Sequence, residues 1–563
     1  MMQSIWKVQP QDPPRARAVA DAASIDQITA QLLLNRGVRT PAEALRFTRP
    51  TLDTLSDPTI LPDMTRGVAR IRQAIASREP IVIFGDSDVD GLSASVILYD
   101  VLQGMGAVVR ATQSNRIADG YGLPGSLITS LCRSSTKLVI LVDCGTNQPD
   151  AIQTLADHGI EAIIVDHHVP LERWARPQAL INPHRAEGTG RELCSAGLAL
   201  KLAQALFDGE VTEPVLEAFD LAALGTLADC SPLRGENRVI VSEGLARIVR
   251  SHRPGLRRLC EATGTTKAEP EQVVRRLVPR LNASGRLGDP AAVWHLLQAE
   301  HAERLEEWLT SAESAHATTK QLHRQIQGEA QEQINRLHFR DQYVMVVSRT
   351  GWHPGLMGPL ASQLAERYGR PAIAIALNEH QGVGSGRSQE MFNLLEALSQ
   401  CQELLVAFGG HARACGLTIH RRHMEQFQAL VNHHAKQQMG REGLIRTRTM
   451  DVELPLAAVQ PRWVEEAGRL SPFGHGNPRP SVVIRHVAIE TTSPRLGWLS
   501  DGGVRVRAKG NFATLAAGTR YDVAVTPAVL EGAVVLTVSD AKPSTGLSGP
   551  VRTSGTSYRH GRA

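Results

Sequence analysis

Three short apolar runs, each ending in acidic or imidazole side chains, constrain the fold of this chain more than any other feature. Ile81 to Phe84 leads into Gly85, Asp86, Asp88, Asp90 and Gly91; Leu138 to Val142 leads into Asp143; Ile160 to Val165 leads into Asp166, His167 and His168. Their length and β-branching predict buried strands. Helix-length segments alternate with them up to about Leu180, the pattern of a doubly wound parallel α/β sheet. Ligands of such sheets sit beyond the carboxyl ends of the strands, where all three runs deliver their reactive groups. Three carboxylates within five residues repel one another, and a cation among them would relieve that repulsion. An isolated acidic turn is equally compatible with a solvated loop. It is not an EF-hand loop, because the twelfth position is Ile97 rather than glutamate.

The chain has 563 residues, enough for several domains, each with a core of its own. A net charge of +4 is close to balance, so attraction to polyanions has to come from local patches. Seven cysteines, odd in number and without a C-x-x-C pair, argue against a disulfide framework and a structural zinc site and predict a reducing compartment. No apolar stretch reaches the roughly 18 residues of a membrane span. The opening MMQSIWKVQPQDPP lacks the build of a secretory signal. A soluble cytoplasmic protein without a membrane partner is expected.

Residues 1–59 are expected to form an N-terminal docking segment. It holds a helix from Ser24 to Arg36, capped by Ser24 and closed by Gly37, and a second starting at Pro41. The sheet domain is expected over 60–300, with helices at Met64 to Ser77 and Ser93 to Gln103. Arg116 in its loops is either a phosphate contact or a surface arginine. Asp220 to Ala228 predicts an apolar helix ending in Asp229, which is either an exposed helix end or a further metal carboxylate. PRLNASGRLG, Pro279 to Gly288, sets Arg280 and Arg286 beside Asn282 and Ser284. That is either a guanidinium clamp for phosphate or a basic turn before a helix.

Ala302 to Leu337 predicts a connecting helix within 301–340, on the order of 50 Å long. A second, smaller α/β domain is expected over 341–440, with strands at Tyr343 to Val347 and Ala372 to Leu377. Its loops Gly351 to Gly355, Gly384 to Ser388 and Gly409 to His411 present His353, Ser385, Arg387 and His411 as an anion-binding face. Short strands without helices over 449–543 predict an OB-like β-barrel. Arg505, Arg507 and Lys509 alternate with Val504, Val506 and Ala508, giving one strand a basic face with Trp498 and Phe512 near it for stacking. Such a face suits single-stranded nucleic acid or a plain solvated edge. Ser544 to Ala563 has the composition of a disordered tail.

In order and number, GDSDVDG, NRIADGYGL, LVDCG, VDHH, INP with CSAGLAL, LGTLADCSPL, PRLNASGRL, GWHPGLMG, GSGRS, FGGHARACG and SPFGHGNP resemble the DHH phosphoesterase family up to about residue 540. The resemblance implies a DHH domain, a DHH-associated domain and the activity of the branch that degrades single-stranded DNA from 5′ to 3′ into mononucleotides, in repair and recombination. It implies two divalent ions, Mn2+ or Mg2+, on Asp88, Asp90, Asp143, His167 and Asp229, with Asp143 as the bridge. Asp86 and His168 would lie close by, Asp86 being available as an additional ligand. Imidazole among carboxylates favours manganese. Arg280, Asn282 and Arg286 would hold the scissile phosphate, and Ser385, Arg387 and His411 the terminal phosphate and nucleotide. A monomer fed by a helicase and a single-stranded-DNA-binding protein is the implied setting. Phe84 stands where many relatives have histidine and Ser87 where they have an aromatic residue, so one ion would have fewer protein ligands. The competing readings are a small DHH phosphodiesterase acting on dinucleotides or short oligoribonucleotides, and a non-catalytic DNA-binding scaffold. The scaffold would be expected to lose the aspartates that are present here.

Overall fold

Alternate residues of the apolar runs serve two cores, and this builds the sheet. Ile81, Ile83, Leu138, Ile140, Val142, Ile163 and Val165 share one buried cluster; Val82, Phe84, Val139, Leu141 and Ile164 share another on the opposite face, as the two-residue period of a strand requires. The computed structural model describes residues 4–188, 190–298, 302–336, 342–389, 391–440, 444, 446–513, 515–516 and 518–544. Leu337 and all but the first residue of the expected tail lie outside them.

Five parallel strands, β1 (Ile81–Gly85), β2 (Val109–Gln113), β3 (Leu138–Val142), β4 (Glu161–Val165) and β5 (Ala179–Ile181), lie in the order β2-β1-β3-β4-β5. Strand order reverses at β1 and β3, which creates a crevice beyond their carboxyl ends. Helix α1 (Met64–Ala76) precedes β1, and α2 (Val89–Gly104) follows it. Helix α2 starts four residues before the expected Ser93 because the Asp88 side chain caps it, accepting from the Asp90 and Gly91 amides. Asp90 therefore stands in a helical first turn instead of a loop. The later helices α3 (Ser195–Leu206), α4 (Phe219–Ala228) and α5 (Val278–Leu287) complete the parts of this domain that bear on the site. PRLNASGRLG is thus helix rather than turn, entered through a π-helical turn at Val273–Leu277.

The connecting helix α6 (Leu305–Arg336) has 32 residues. Its apolar stripe is thin because it serves two cores in succession. Trp308, Leu309 and Ala312 enter the first domain's core, and Ile326, Ala330 and Ile334 enter the second domain's. There, β6 (Met345–Thr350), β7 (Ala372–Leu377), β8 (Gln381–Arg387), β9 (Leu405–His411) and β10 (Ala414–His420) form a sheet ordered β9-β10-β8-β7-β6. Only β6 and β7 are parallel. Helix α7 (Met357–Tyr368) packs on one face of this sheet. GSGRS is a strand and not the expected turn. A methyl group on Gly382, Gly384 or Gly386 would come within 2.6–2.7 Å of Ile375 or Leu394, so these glycines allow close packing.

The chain divides into two compact units, one comprising Met1–Ile5, Arg46–Thr447 and Pro472–Pro478, the other Trp6–Leu45, Arg448–Ser471 and Arg479–Ala563. In the second unit, β11 (Val482–Ser493), β12 (Leu496–Asp501), β13 (Val504–Lys509), β14 (Arg520–Leu530) and β15 (Ala533–Pro543) close a five-stranded barrel with β13 and β15 parallel, an OB-fold. The N-terminal residues belong to this unit: the Arg36 guanidinium meets Asp451 at 3.2 Å and the Trp6 indole donates to Asp540. The helix expected from Ser24 to Arg36 is present as Gln27–Asn35, capped by Asp26 rather than Ser24, and the one expected from Pro41 as Pro41–Thr48; a further helix, Pro13–Ala23, capped by Asp12, precedes them. Ser24 itself is left-handed, with φ 51°.

Candidate metal centre

Strand β1 ends with helix α2 seated flush against it. A methyl group on Gly85 would overlap the Ser95 hydroxyl at 1.9 Å. Asp86 is buried at the strand tip, accepting from the Ser114 hydroxyl at 2.6 Å and from Arg116 Nε at 2.8 Å. Arg116 also pairs with the second Asp86 oxygen and reaches Asp88 at 2.9 Å. A metal ion on Asp86 and Asp88 would therefore compete with this guanidinium. Burial opposes ionisation of Asp88, but Arg116 and the capped amides hold its carboxyl below the usual range.

Asp90 points into the core and accepts from the Ser195 and Ala196 amides, both at 2.9 Å. The N-terminus of α3 is thus aimed at a carboxylate. Even so, burial and then Asp229 push its pKa up to about 6. Asp143 follows β3 in the left-handed region, φ 60°, and accepts from the Ser195 hydroxyl at 2.9 Å. Burial, then Asp88 and Asp90, raise its pKa well above the carboxylate range.

His167 Nε2 stands 3.4 Å from Asp143, 3.9 Å from Asp90 and 4.0 Å from Asp229. Burial opposes its protonation, and the three carboxylates outweigh that. His168 is held by Asp166 through a 2.7 Å contact to Nδ1. Against burial, this buried carboxylate lifts its pKa to about 9. The Tyr121 hydroxyl donates to the Asp143 carbonyl and lies 3.1 Å from the same imidazole nitrogen. Asp229 ends helix α4, where the Ser231 hydroxyl donates to it at 2.6 Å.

Three sets of donor atoms each fall within 4.8 Å of one another: Asp86, Asp88 and Asp143; Asp90, His167 and Asp229; Asp143, His167 and His168. Asp143 and His167 each belong to two of them. Divalent Mn2+ or Mg2+ fits this donor set, since carboxylate oxygens and imidazole are present and thiolate is not. The neighbouring Cys144 and Cys194 are buried, and burial pushes both thiols well up. Phe84 is sealed in the apolar layer, so the set nearest β1 has no imidazole.

The arginine clamp divides. Asn282 and Arg286, four residues apart on α5, share a face; Asn282 Oδ1 accepts from the Val89 amide at 3.1 Å. A methyl on Gly285 would come within 2.5 Å of the Ser87 carbonyl, so α5 lies tight on the metal loop. Arg280 stands apart from them: it projects from another side of α5, bonded to Glu313 at 2.6 Å and to the Arg276 carbonyl. Arg286 is paired with no carboxylate among the described residues. Burial lowers its pKa, Asp88 opposes that, and Arg116 and Arg387 add to it.

The second domain meets this clamp directly. A methyl on Gly355 would sit 2.2 Å from the Arg286 carbonyl. His353 is committed to its own turn, accepting from the Gly355 amide. Arg387 bonds the Ser385 hydroxyl at 2.9 Å and lies by Gly358 at the start of α7. Arg387 and His411 stand on strands, not on separate loops, and both pair across to Ala414, which places them on one face. Burial lowers the pKa of His411, and Arg387 and His168 lower it further.

On the barrel, Arg505, Arg507 and Lys509 are exposed as expected. Phe512 is buried and offers no stacking surface. The Arg505 guanidinium, paired with Glu490, already covers Trp498 at 4.6 Å.

Sequence reasoning named Asp166 at its strand end without giving it a role, and passed over Tyr121, Ser114 and Ser195 as site residues. Asp166 was visible as the acid immediately before the two histidines. The CSAGLAL run hid a helix start whose amides and hydroxyl serve Asp90 and Asp143.

Residues 80–226 match the DHH family N-terminal domain, 341–437 the DHHA1 domain and 450–497 the RecJ OB domain. The chain is 33% identical over 493 residues to the single-stranded-DNA-specific exonuclease RecJ of Bacillus subtilis, covering 86% of this chain and 62% of that protein. It is 32% identical over 443 residues to RecJ of Dickeya dadantii, covering 74% and 76%. RecJ from Thermus thermophilus solved in complex with Mn2+ is 28% identical with a TM-score of 0.84, over 97% of this chain and 80% of that one. A structure of exonuclease RecJ bound to manganese is 30% identical with a TM-score of 0.60, over 68% and 96%. The chain spans 62% and 61% of the Bacillus and Thermus curated relatives.

Proposed function

This chain belongs to the RecJ family, and from that premise we propose that it is a metal-dependent exonuclease that hydrolyses single-stranded DNA from its 5′ end to mononucleotides, in DNA repair and recombination. The observation that carries this reading is Asp143, shared by two sets of ligand atoms in a compact unit where the guanidinium groups of Arg286, on the first domain, and Arg387, on the second, have no carboxylate partner among the described residues.

Asp88, Asp90, Asp143, His167 and Asp229 would hold two divalent cations, with Asp86 and His168 beside them. Such a pair, when bound, supplies activation of water and charge neutralisation at both oxygens of an in-line displacement. Arg286 and the amide nitrogen of Asn282 orient the scissile phosphate against the cluster, guanidinium being suited to bidentate contact. Ser385, Arg387 and His411 receive the terminal phosphate, and holding that group on the second domain sets the polarity of digestion. His168, oriented by its 2.7 Å contact with Asp166, faces the substrate from beside the cluster. Arg507, Lys509 and Arg505 on the barrel grip the trailing strand, an extension that a dinucleotide phosphodiesterase would not need. A helicase and a single-stranded-DNA-binding protein supply the strand to a monomeric cytoplasmic enzyme. Among the described residues no helix is long and apolar enough to cross a membrane.

The reading is tested with end-labelled oligonucleotides in Mn2+ or EDTA. Single-stranded DNA should release its 5′ label first, as a mononucleotide, and only with metal. Duplex and dinucleotides should be poor substrates. Release from the 3′ end, or a preference for dinucleotides, overturns the assignment.

The two arginines of α5 should separate in the same assay. Arg286→Ala is expected to lower kcat/KM by about 10- to 150-fold, the range of a lost charged hydrogen bond. Arg280→Ala should stay within about threefold of wild type, since a partly exposed ion pair is worth under about 1 kcal/mol.

A further inference from the structure

Residues 472–478, PFGHGNP, lie in sequence between two stretches of the barrel-containing unit, yet they belong to the catalytic unit. We propose that this loop is a brace that orients Asp229, so that part of the metal centre is encoded inside the stretch of chain that otherwise builds the barrel. The proposal rests on the metal-dependent function argued above and assigns a positioning role to residues outside the catalytic domain's own sequence.

The direction of the Asp229 carboxylate depends on Cys230 and Ser231, because α4 ends there. Cys230 is left-handed, φ 59°, a conformation that a non-glycine residue holds only when its surroundings enforce it. It turns the chain so that the Ser231 hydroxyl reaches back to Asp229 Oδ2 at 2.6 Å. The other Asp229 oxygen then faces His167. The loop in turn holds the chain just beyond them, at Pro232 and Leu233. The Leu233 amide donates to the His475 carbonyl at 2.8 Å.

Two glycines let the backbones approach this closely. A methyl on Gly474 would be 2.7 Å from the Leu233 side chain, and one on Gly476 would be 2.9 Å from Pro232. The loop is stiff enough to act as a support. Gly474 and Asn477 exchange backbone hydrogen bonds, and the buried Asn477 amide donates to the Pro472 carbonyl at 2.8 Å. The fully buried Arg238 reaches the same carbonyl. Groups that fix a metal ligand in this way commonly govern affinity for the ion.

Domain deletions would be affected as well. Removing the chain from about residue 450 takes away the brace together with the barrel, so weakened catalysis in such a fragment would not measure the barrel's grip on DNA alone.

The test uses the full chain with Gly476→Val, which wedges the loop from Pro232, and Ser231→Ala, which removes the bond to Asp229 and leaves the loop intact. His475→Ala, at an exposed side chain of the same loop, is the control. Manganese binding is followed by calorimetry and by the metal-induced rise in Tm, alongside kcat, KM and DNA affinity in EDTA. Both test variants should need about tenfold more Mn2+ for half-saturation, with DNA affinity close to wild type and the control unchanged; the Tm in EDTA should hold for Ser231→Ala and fall by a few degrees for Gly476→Val, which puts a β-branched residue at φ 72°. Unaltered Mn2+ half-saturation in Ser231→Ala overturns the proposal, whether or not Gly476→Val folds. If the wild type binds Mn2+ but cuts no DNA, the calorimetric comparison still decides the brace, while the nuclease reading alone fails.

Discussion

Asp143→Asn is expected to lower turnover on single-stranded DNA by about 10³-fold or more, yet to leave the metal-free protein at least as stable as wild type. The loss follows from position, since Asp143 is the carboxylate shared between two ligand sets and metal activation of this kind supplies about 4 kcal/mol or more of the barrier reduction. The stability half follows from electrostatics. Asparagine tolerates the left-handed backbone at this site and can keep the Ser195 hydrogen bond. What it removes is a buried charge facing Asp88 and Asp90. The folded-state pKa of Asp143 is raised, so without metal its ionisation weakens the fold as pH climbs above the unfolded value of about 3.9. The variant should therefore gain on wild type in EDTA as pH rises from about 4 toward neutrality, less what His167 loses when one of its three carboxylates becomes neutral. Thermal melts in EDTA and in Mn2+ check both halves: the EDTA Tm holds or rises, and the manganese-induced rise shrinks. A wild-type rate would remove Asp143 from the centre of the mechanism.

That one residue can be costly to the apo fold and indispensable to the proposed reaction explains which parts of the site were legible in sequence. Buried parallel strands read as unbroken apolar runs, and their acidic endings mark the carboxyl edge of the sheet, so Asp86, Asp143 and His167 could be placed by order alone. Asp90 was placed in the right neighbourhood but in the wrong element, because the capping role of Asp88 was not weighed. PRLNASGRLG reads as a turn by composition. Its glycine is there to let α5 lie on the Ser87 carbonyl, a tertiary demand that no local propensity carries. Once the segment is a helix, the spacing of 280, 282 and 286 separates Arg280 from its supposed partners. The glycines at 382, 384 and 386 recur every second residue, the period of a strand, and that signal was available. The joining of 6–45 to the barrel and of 472–478 to the catalytic unit was not, because nothing in linear order records which distant segment a loop packs against.

Gly91→Ala should lower turnover by about 10²-fold although alanine is the better helix former. Gly91 is in the first turn of α2, where the exchange alone would favour folding by about 0.5–1 kcal/mol. Against this, the new methyl group would stand 2.5 Å from the Asp86 carbonyl oxygen and 2.9 Å from Asp86 C and N. These are backbone atoms and cannot rotate aside. Ordinary contact begins at about 3.5 Å, so the metal loop must move away from the helix by about 1 Å. Overpacking of this kind costs about 1–3 kcal/mol, which leaves a net loss and a Tm lower by a few degrees. The effect on rate is larger than the effect on stability because Asp86, Asp88 and Asp90 all ride on this loop and helix start, and a displacement of about 1 Å in a reacting array costs on the order of 10²-fold. Gly104→Ala, at the other end of the same helix with nothing within 4 Å of the added carbon, isolates the propensity gain and should keep the wild-type rate. The pair is compared by thermal melts and by single-turnover cleavage at saturating Mn2+. If Gly91→Ala behaves like Gly104→Ala, the close approach of loop and helix does not set the geometry of the carboxylates.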